Sequence, residues 1–328
     1  MKRKYFHYTA FLLTLILFVT ACKEEEYKLP SAGTELKNDC IKRSLGPNLV
    51  GLNIEFAYAM ALPADKGKIV SAQVEASIAG ASSTYLENKS YYTNSGGVDI
   101  GIPIGDPSVN EGATTTVTFT RDTSAATLRY FYTIPEEARG KSVSFTFTAK
   151  SSDGKTVSQK MGPYEIANMD RTLNLIVKDG DASYISIEDM AVYNAADAAS
   201  KADKIDLVYL YRGNLNSFTH ALVSPGADPQ YLPDIALPSG VNKSTKVRKE
   251  FGLRDQQLGN PKYGIYIDDV DFKELDLTDV PNYALNLKEE AGAWVETADG
   301  TYRAYIFVNK VDNAGKSMTI SMKRLKMK

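Results

Sequence analysis

The sequence predicts a mainly β protein in two domains, an N-terminal immunoglobulin-like β-sandwich followed by a C-terminal α+β domain. Three observations predict it. In Ser142–Ala149 apolar residues alternate with hydroxyls, the two-residue period of a half-buried antiparallel strand. Similar runs recur at short intervals, separated by turn signals such as Asp153-Gly154. At 328 residues the chain is longer than one hydrophobic core usually serves. A composition of 43% hydrophobic and 24% charged residues excludes a disordered, collagenous or coiled-coil chain. Two cysteines are too few for a disulfide-stapled scaffold. A net charge of −2 gives no electrostatic ground for a nucleic-acid partner.

Residues 1–21 are expected to be a lipoprotein signal peptide. Lys2, Arg3 and Lys4 precede an apolar run from Ala10 to Val19. As a helix that run spans about 15 Å, half of the roughly 30 Å a bilayer core requires, so it is a signal segment and not a membrane span. Val19-Thr20-Ala21-Cys22 resembles the bacterial lipobox, in which small residues precede the cysteine that receives the lipid. Cys22 is the expected lipidation site. Two or more acyl chains there would make the attachment effectively permanent. Residues 22–35 are an expected linker. Glu24, Glu25 and Glu26 resemble the acidic surface-export tag of Bacteroidota lipoproteins, and Pro30, Ser31 and Gly33 carry no apolar periodicity.

Residues 36–167 form the expected sandwich. Ile69, Ala72, Val74 and Ala76 suggest one strand, and Val98, Ile100, Ile102 and Ile104 another, with Pro103 marking an edge. Val117 with Phe119 give a third, Leu128, Tyr130, Tyr132 and Ile134 a fourth, and Ser142–Ala149 with the return from Val157 a hairpin.

Residues 168–328 form the expected α+β domain. Leu173–Val177 and Tyr184–Ile187 read as strands around the turn Asp179-Gly180-Asp181. Asn194 is a helix N-cap for Ala195–Ala202. Ile205–Tyr211 is almost continuously apolar, as in a strand covered on both faces. Two further helices are predicted. One spans 245–258, with Val247, Phe251 and Leu258 on one side; the other spans 279–291, with Pro281 near its start and Gly292 beyond its end. The chain closes with a hairpin, in which Met318, Ile320 and Met322 share a face. The basic end, Lys323–Lys328, reads as a frayed charged tail.

Leu36–Arg43 together with Ala202–Tyr209 resemble a family of Bacteroidota surface lipoproteins of unknown function, the domain-of-unknown-function-4466 type. The resemblance covers most of the mature chain. It implies an outer-membrane lipoprotein of the kind found near polysaccharide-uptake systems. It supplies no established activity and no site residues.

The search for chemistry gives no catalytic, metal or cofactor site. No G-x-S-x-G, H-E-x-x-H, C-x-x-C or phosphate loop is present. His220 reads as a structural histidine and Cys40 as a small buried hydrophobe. The acidic stretch Asp268–Asp276 lacks calcium-loop spacing and reads as solvated strand and loop. Twenty tyrosines leave glycan binding as the leading expectation, since it needs exposed aromatic faces beside polar groups. The candidates are Trp294, Tyr85, Tyr91, Tyr92 and Tyr231, all near turns or in polar loops. The sequence therefore predicts a non-catalytic binding module for an extracellular ligand such as a polysaccharide. It would be held on the outer membrane by its N-terminal lipid, with an outer-membrane transporter complex as an expected partner and no nucleic acid. Alternatives are a fimbrial or surface-assembly subunit and a carboxylate-based glycan-degrading enzyme.

Overall fold

The structure, a computed structural model, describes residues 34–328 apart from 216, 217, 260 and 262. The expected signal peptide, Cys22 and all but the end of the linker lie outside the described residues.

The N-terminal domain is a sandwich of two antiparallel sheets. Strands β1 (Lys37–Lys42), β2 (Asn53–Ala61), β9 (Ala125–Thr133) and β4 (Tyr85–Leu86) form one sheet in that order. Strands β11 (Thr156–Glu165), β10 (Ser142–Ser151), β3 (Ile69–Ala76), β8 (Thr114–Thr118) and β7 (Val109–Glu111) form the other. Alternation decides which side chains meet between them. Ile54, Phe56, Tyr58 and Met60 of β2 point inward, as do Leu128, Tyr130 and Tyr132 of β9. They face Phe145 and Phe147 of β10 and Val74 of β3. Phe56 sits at the centre, its ring 4.9 Å from Phe145 and 5.1 Å from Phe147 between centroids. A two-stranded hairpin, β5 (Lys89–Thr93) and β6 (Asp99–Pro103), follows β4 and lies beside β9.

The C-terminal domain is also built from sheets. Strands β12 (Met169–Lys178), β21 (Ser317–Lys326), β20 (Tyr302–Asp312), β19 (Ala291–Glu296) and β17 (Lys246–Phe251) form one. Strands β14 (Ala191–Tyr193), β13 (Tyr184–Ser186), β15 (Leu207–Arg212), β16 (Thr219–Val223) and β18 (Tyr283–Leu287) form the second. The two share a core that includes Val295, Ile306 and Met322 opposite Leu207, Tyr209 and Leu222. Each sheet is covered on its outer face as well. The segment carrying Leu258, Ile267 and Phe272 packs on Trp294, Tyr305 and Phe307. Ala198, Phe218 and Val241 pack on Val208 and Leu210. This four-layer arrangement explains the unbroken apolar runs: β15 and β19 are buried on both faces.

The expected α+β character is corrected to mainly β. The α-helices among the described residues are α1 (Ala195–Ser200), α2 (Gln256–Gly259) and α3 (Asp269–Glu274). α1 has the expected cap, with Asn194 Oδ1 accepting from Asp197 N at 2.9 Å. The helix expected over 245–258 is instead β17 followed by α2. Val247 is the one buried residue of β17, and Gly252 at φ 78° ends it. The helix expected over 279–291 is β18 and the start of β19. Asp279, Asn286 and Glu290 adopt φ of 54°, 52° and 65°, which no α-helix accommodates, and pairing with β16 outweighs the helical spacing. Asp268–Asp276 is not strand. It holds α3, whose capping box joins the side chains of Asp268 and Asp271 to each other's backbone N–H. The basic end is not frayed: β21 runs to Lys326, and Lys323 is fully buried.

The domains are joined by more than the chain. Leu49 inserts among Met169, Ile267 and Phe272. Asp170 bridges Arg139 of the first domain and Arg324 of the second. Gln257 Nε2 donates to Pro47 O at 3.0 Å.

Candidate functional site

Three of the five aromatic residues singled out in the sequence lie close together beside the β1-β2-β9-β4 sheet, Tyr85 and Tyr91 on its outer face and Tyr92 on the opposite side of β5. The inward set Tyr58, Leu128 and Tyr130 forces Ala59, Thr127 and Arg129 outward, and Phe131 follows Arg129 on the same face. Tyr85 of β4 lies opposite Phe131 and stacks on it, centroids 4.8 Å apart and planes within 14°. Tyr91 of β5 lies under Arg129, whose guanidinium carbon is 3.8 Å from the ring centroid. Arg129 is itself held by an ion pair with Asp99 of β6, and Asp99 Oδ1 accepts from Thr93 Oγ1 at 2.7 Å. Gly101 faces Tyr91 across the hairpin, and a Cβ there would lie 2.9 Å from the ring, so the glycine leaves room for the aromatic.

Tyr92 points the other way and is 53% exposed. It edges a groove of about 590 Å³. Ala59, Ala61, Ala125 and Thr127 form its floor, Tyr91 and Tyr92 one wall, and Lys37 and Asp39 the other. Small residues on the floor let a flat ligand come close to the sheet.

Glu87 lies between Tyr85 and Tyr91 and raises the phenol pKa of both, after burial, which is the larger cause. Its Oε2 is buried without a hydrogen-bond partner. That oxygen is shut off from solvent, so Glu87 acts on the two phenols and not as a contact for a ligand.

The other two candidates lie elsewhere. Trp294 is in β19, 4% exposed, edge-on to Phe272 at 5.3 Å and 4.7 Å from Tyr305. Both sides of its sheet are covered, so it is core and offers no platform to a sugar. Tyr231 stacks on Tyr283 at 3.8 Å and accepts from its hydroxyl at 3.0 Å, away from the groove in the second domain. His220 is buried, with Nδ1 2.7 Å from Tyr209 Oη and Nε2 2.8 Å from Asn313 Oδ1, a satisfied structural histidine. Cys40 is buried, and burial, reinforced by Asp39, pushes its thiol up to about 12. No group of three or more metal-ligating side chains occurs among the described residues.

Sequence reasoning missed Arg129, Phe131, Glu87 and the alanine floor. The first two were legible in principle, since an inward Leu128, Tyr130 and Tyr132 leaves them outward.

A crystal structure of a DUF4466 family protein from Parabacteroides merdae ATCC 43184 is similar to this chain at 49% identity. It covers 90% of this chain and 99% of its own, with a TM-score of 0.85. The chain belongs to the DUF4466 family. The domain of unknown function DUF4466 matches residues 33–166, and a second domain of unknown function, DUF8576, matches residues 167–327. The DUF4466 match therefore contains the whole tyrosine face and its groove. A crystal structure of BcpA, the major pilin subunit of Bacillus cereus, matches at 8% identity over 89% of this chain and 67% of the pilin, with a TM-score of 0.29. No curated protein matches the chain.

Proposed function

We propose that this DUF4466 protein is a lipid-anchored outer-membrane protein that binds an extracellular polysaccharide through the groove of its N-terminal domain. The observation that carries the reading is the groove walled by Tyr91 and Tyr92 over a floor of small residues, with Tyr85 stacked on the sheet nearby. Sugar rings present apolar C–H faces ringed by hydroxyls. Rigid aromatics take the former at small entropic cost, and carboxylates and guanidinium groups take the latter. The strand order β1-β2-β9-β4 against β11-β10-β3 supports taking this domain as immunoglobulin-like.

The membrane half of the reading rests on Lys2–Cys22 and the acidic run after it, and on a relative from a Bacteroidota species. Cys22→Ser should move the protein from the membrane to the soluble fraction of cells. Unchanged membrane fractionation together with an unacylated terminus by mass spectrometry would remove the anchor from the account.

Binding is tested by affinity electrophoresis of the full chain in a detergent without a sugar headgroup, against a panel of neutral and acidic polysaccharides. At least one should retard the protein. Tyr92→Ala should then weaken that interaction tenfold or more, about 1.4 kcal/mol, with Tyr91→Ala and Lys37→Ala, elsewhere in the groove walls, acting in the same direction. No retardation by any polysaccharide, or three variants that migrate like the parent, would overturn the reading.

A further inference from the structure

A cleft of about 930 Å³ opens in the second domain, lined by none of the aromatic candidates taken from the sequence. It opens between the turn after β12, the end of β15 and the loop 234–236. Its volume falls within the roughly 300–1,000 Å³ usual for small-molecule sites.

The walls are built, not incidental. Arg212, at the end of β15, ties them together. Its Nη1 donates to Asp179 Oδ2 at 2.9 Å, and its Nε donates to Pro233 O at 3.0 Å. Nη1 also donates to Tyr211 O at 2.8 Å. The Arg212 and Asp179 side chains are 11% and 17% exposed, and each cancels the other's charge. Arg212 is thus a positioning residue with little left to offer a ligand.

What remains facing the opening is a different set. Asp234 has no hydrogen-bond or ion-pair partner among the described residues, and neither do the side chains of Asn214 and Lys316. Asp181 has a distant one, Lys178 at 3.6 Å. Asp181 is thus compensated by Lys178, and the unpaired carboxylate of Asp234 stands with the unpaired ammonium of Lys316, with the Asn214 amide and the rings of Tyr184 and Tyr211 also in the lining. With the charges balanced, an anionic ligand would give up its hydration without a net positive charge to repay it. A neutral polyhydroxylated molecule would find acceptors for its hydroxyls, donors for its oxygens and apolar ring faces.

We propose that this cleft is a second binding site, independent of the tyrosine groove, that takes a neutral saccharide in preference to uronate-bearing or sulfated ones. Asp234 and Asn214 make the direct contacts, and Arg212 holds the walls apart.

The test is titration calorimetry on the full chain carrying Tyr92→Ala, which removes the groove's free aromatic. The probes are neutral oligosaccharides of glucose, xylose and mannose, with oligogalacturonate as the acidic comparison. Asp234 has φ 57°, so Asp234→Gly deletes the side chain while keeping a backbone that glycine adopts freely. Asn214→Ala is the second variant, in case the first alters the loop.

In the Tyr92→Ala chain at least one neutral oligosaccharide should still bind, and more tightly than oligogalacturonate. Asp234→Gly and Asn214→Ala should each weaken the residual binding at least tenfold. Residual binding that neither variant changes, or residual binding of oligogalacturonate alone, overturns the proposal. Loss of all binding with Tyr92→Ala alone also overturns it, while leaving the groove as the site of the proposed function. Binding that survives Tyr92→Ala and vanishes with Asp234→Gly supports the cleft whatever becomes of the groove.

Discussion

Lys323→Met should lower the unfolding free energy by about 3–5 kcal/mol, the usual cost of leaving one member of a buried ion pair unpartnered. Lys323 and Asp255 are both fully buried, Nζ 2.6 Å from Oδ2. Lys323 Nζ also donates to Ile267 O at 2.8 Å. Asp255 accepts from Ile267 N at 2.9 Å and from Gln257 N at 2.7 Å. The pair fastens the segment after β17 to the last strand, beneath the layer that covers Trp294 and Tyr305. Burial lowers the lysine pKa and the Asp255 charge opposes the shift, so the ammonium depends on its partner.

Asp255→Ala should cost as much or more, because it strips a buried cation and two backbone donors together. The double variant Lys323→Met/Asp255→Leu should cost clearly less than the sum of the two single variants, since neither charge is then left alone. Denaturant unfolding followed by circular dichroism measures all three. A Lys323→Met protein within 1 kcal/mol of the parent, a margin set by ordinary surface changes of about 0.5 kcal/mol, would show that the pair is not a fastening.

Phe56→Ala should destabilise the N-terminal sandwich by about 3–5 kcal/mol, the range for deleting a buried aromatic. Its ring contacts Phe145 and Phe147 in the opposite sheet, with Tyr164 5.7 Å away and Tyr130 at 6.3 Å. Removing it opens a cavity that four rigid rings cannot collapse into. Phe56→Leu keeps most of the volume and should cost less than half as much. Amide exchange localises the effect: the loss should be concentrated in β2, β9 and β10. Equal losses for the leucine and alanine variants would mean that ring packing does not hold this core.

Several strands of the N-terminal domain were legible because alternation is a local signal, although the central strand β2 was not picked out. Ser142–Ala149 carries its own two-residue period, and Leu128, Tyr130 and Tyr132 carry theirs. The helices expected over 245–258 and 279–291 failed for the opposite reason. Val247 and Phe251 have a spacing that fits either structure. What decided for strand was pairing with β19, whose Ala291–Glu296 lies tens of residues further along the chain. Lys323 was misjudged in the same way: a lysine near a basic terminus looks solvated, and its partner Asp255 is 68 residues away.

Of the site, the tyrosines were legible as residue types but not as a group. Adjacent strand residues face opposite ways, so one of Tyr91 and Tyr92 was bound to be more exposed. Only the fold put Tyr85 and Tyr91 on the same face, one against Phe131 and the other under Arg129. Only the fold buried Trp294, because its sheet is covered on both sides.

By itself the sequence determined the β character, the approximate division into two halves and the Asn194 cap, since period, turn chemistry and capping act over a few residues. The tertiary structure alone decided the fate of the ambiguous segments, the burial of Lys323 and Trp294, and the assembly of the groove and the cleft. Those depend on free energies of burial and pairing between residues far apart in the chain, which local pattern does not encode.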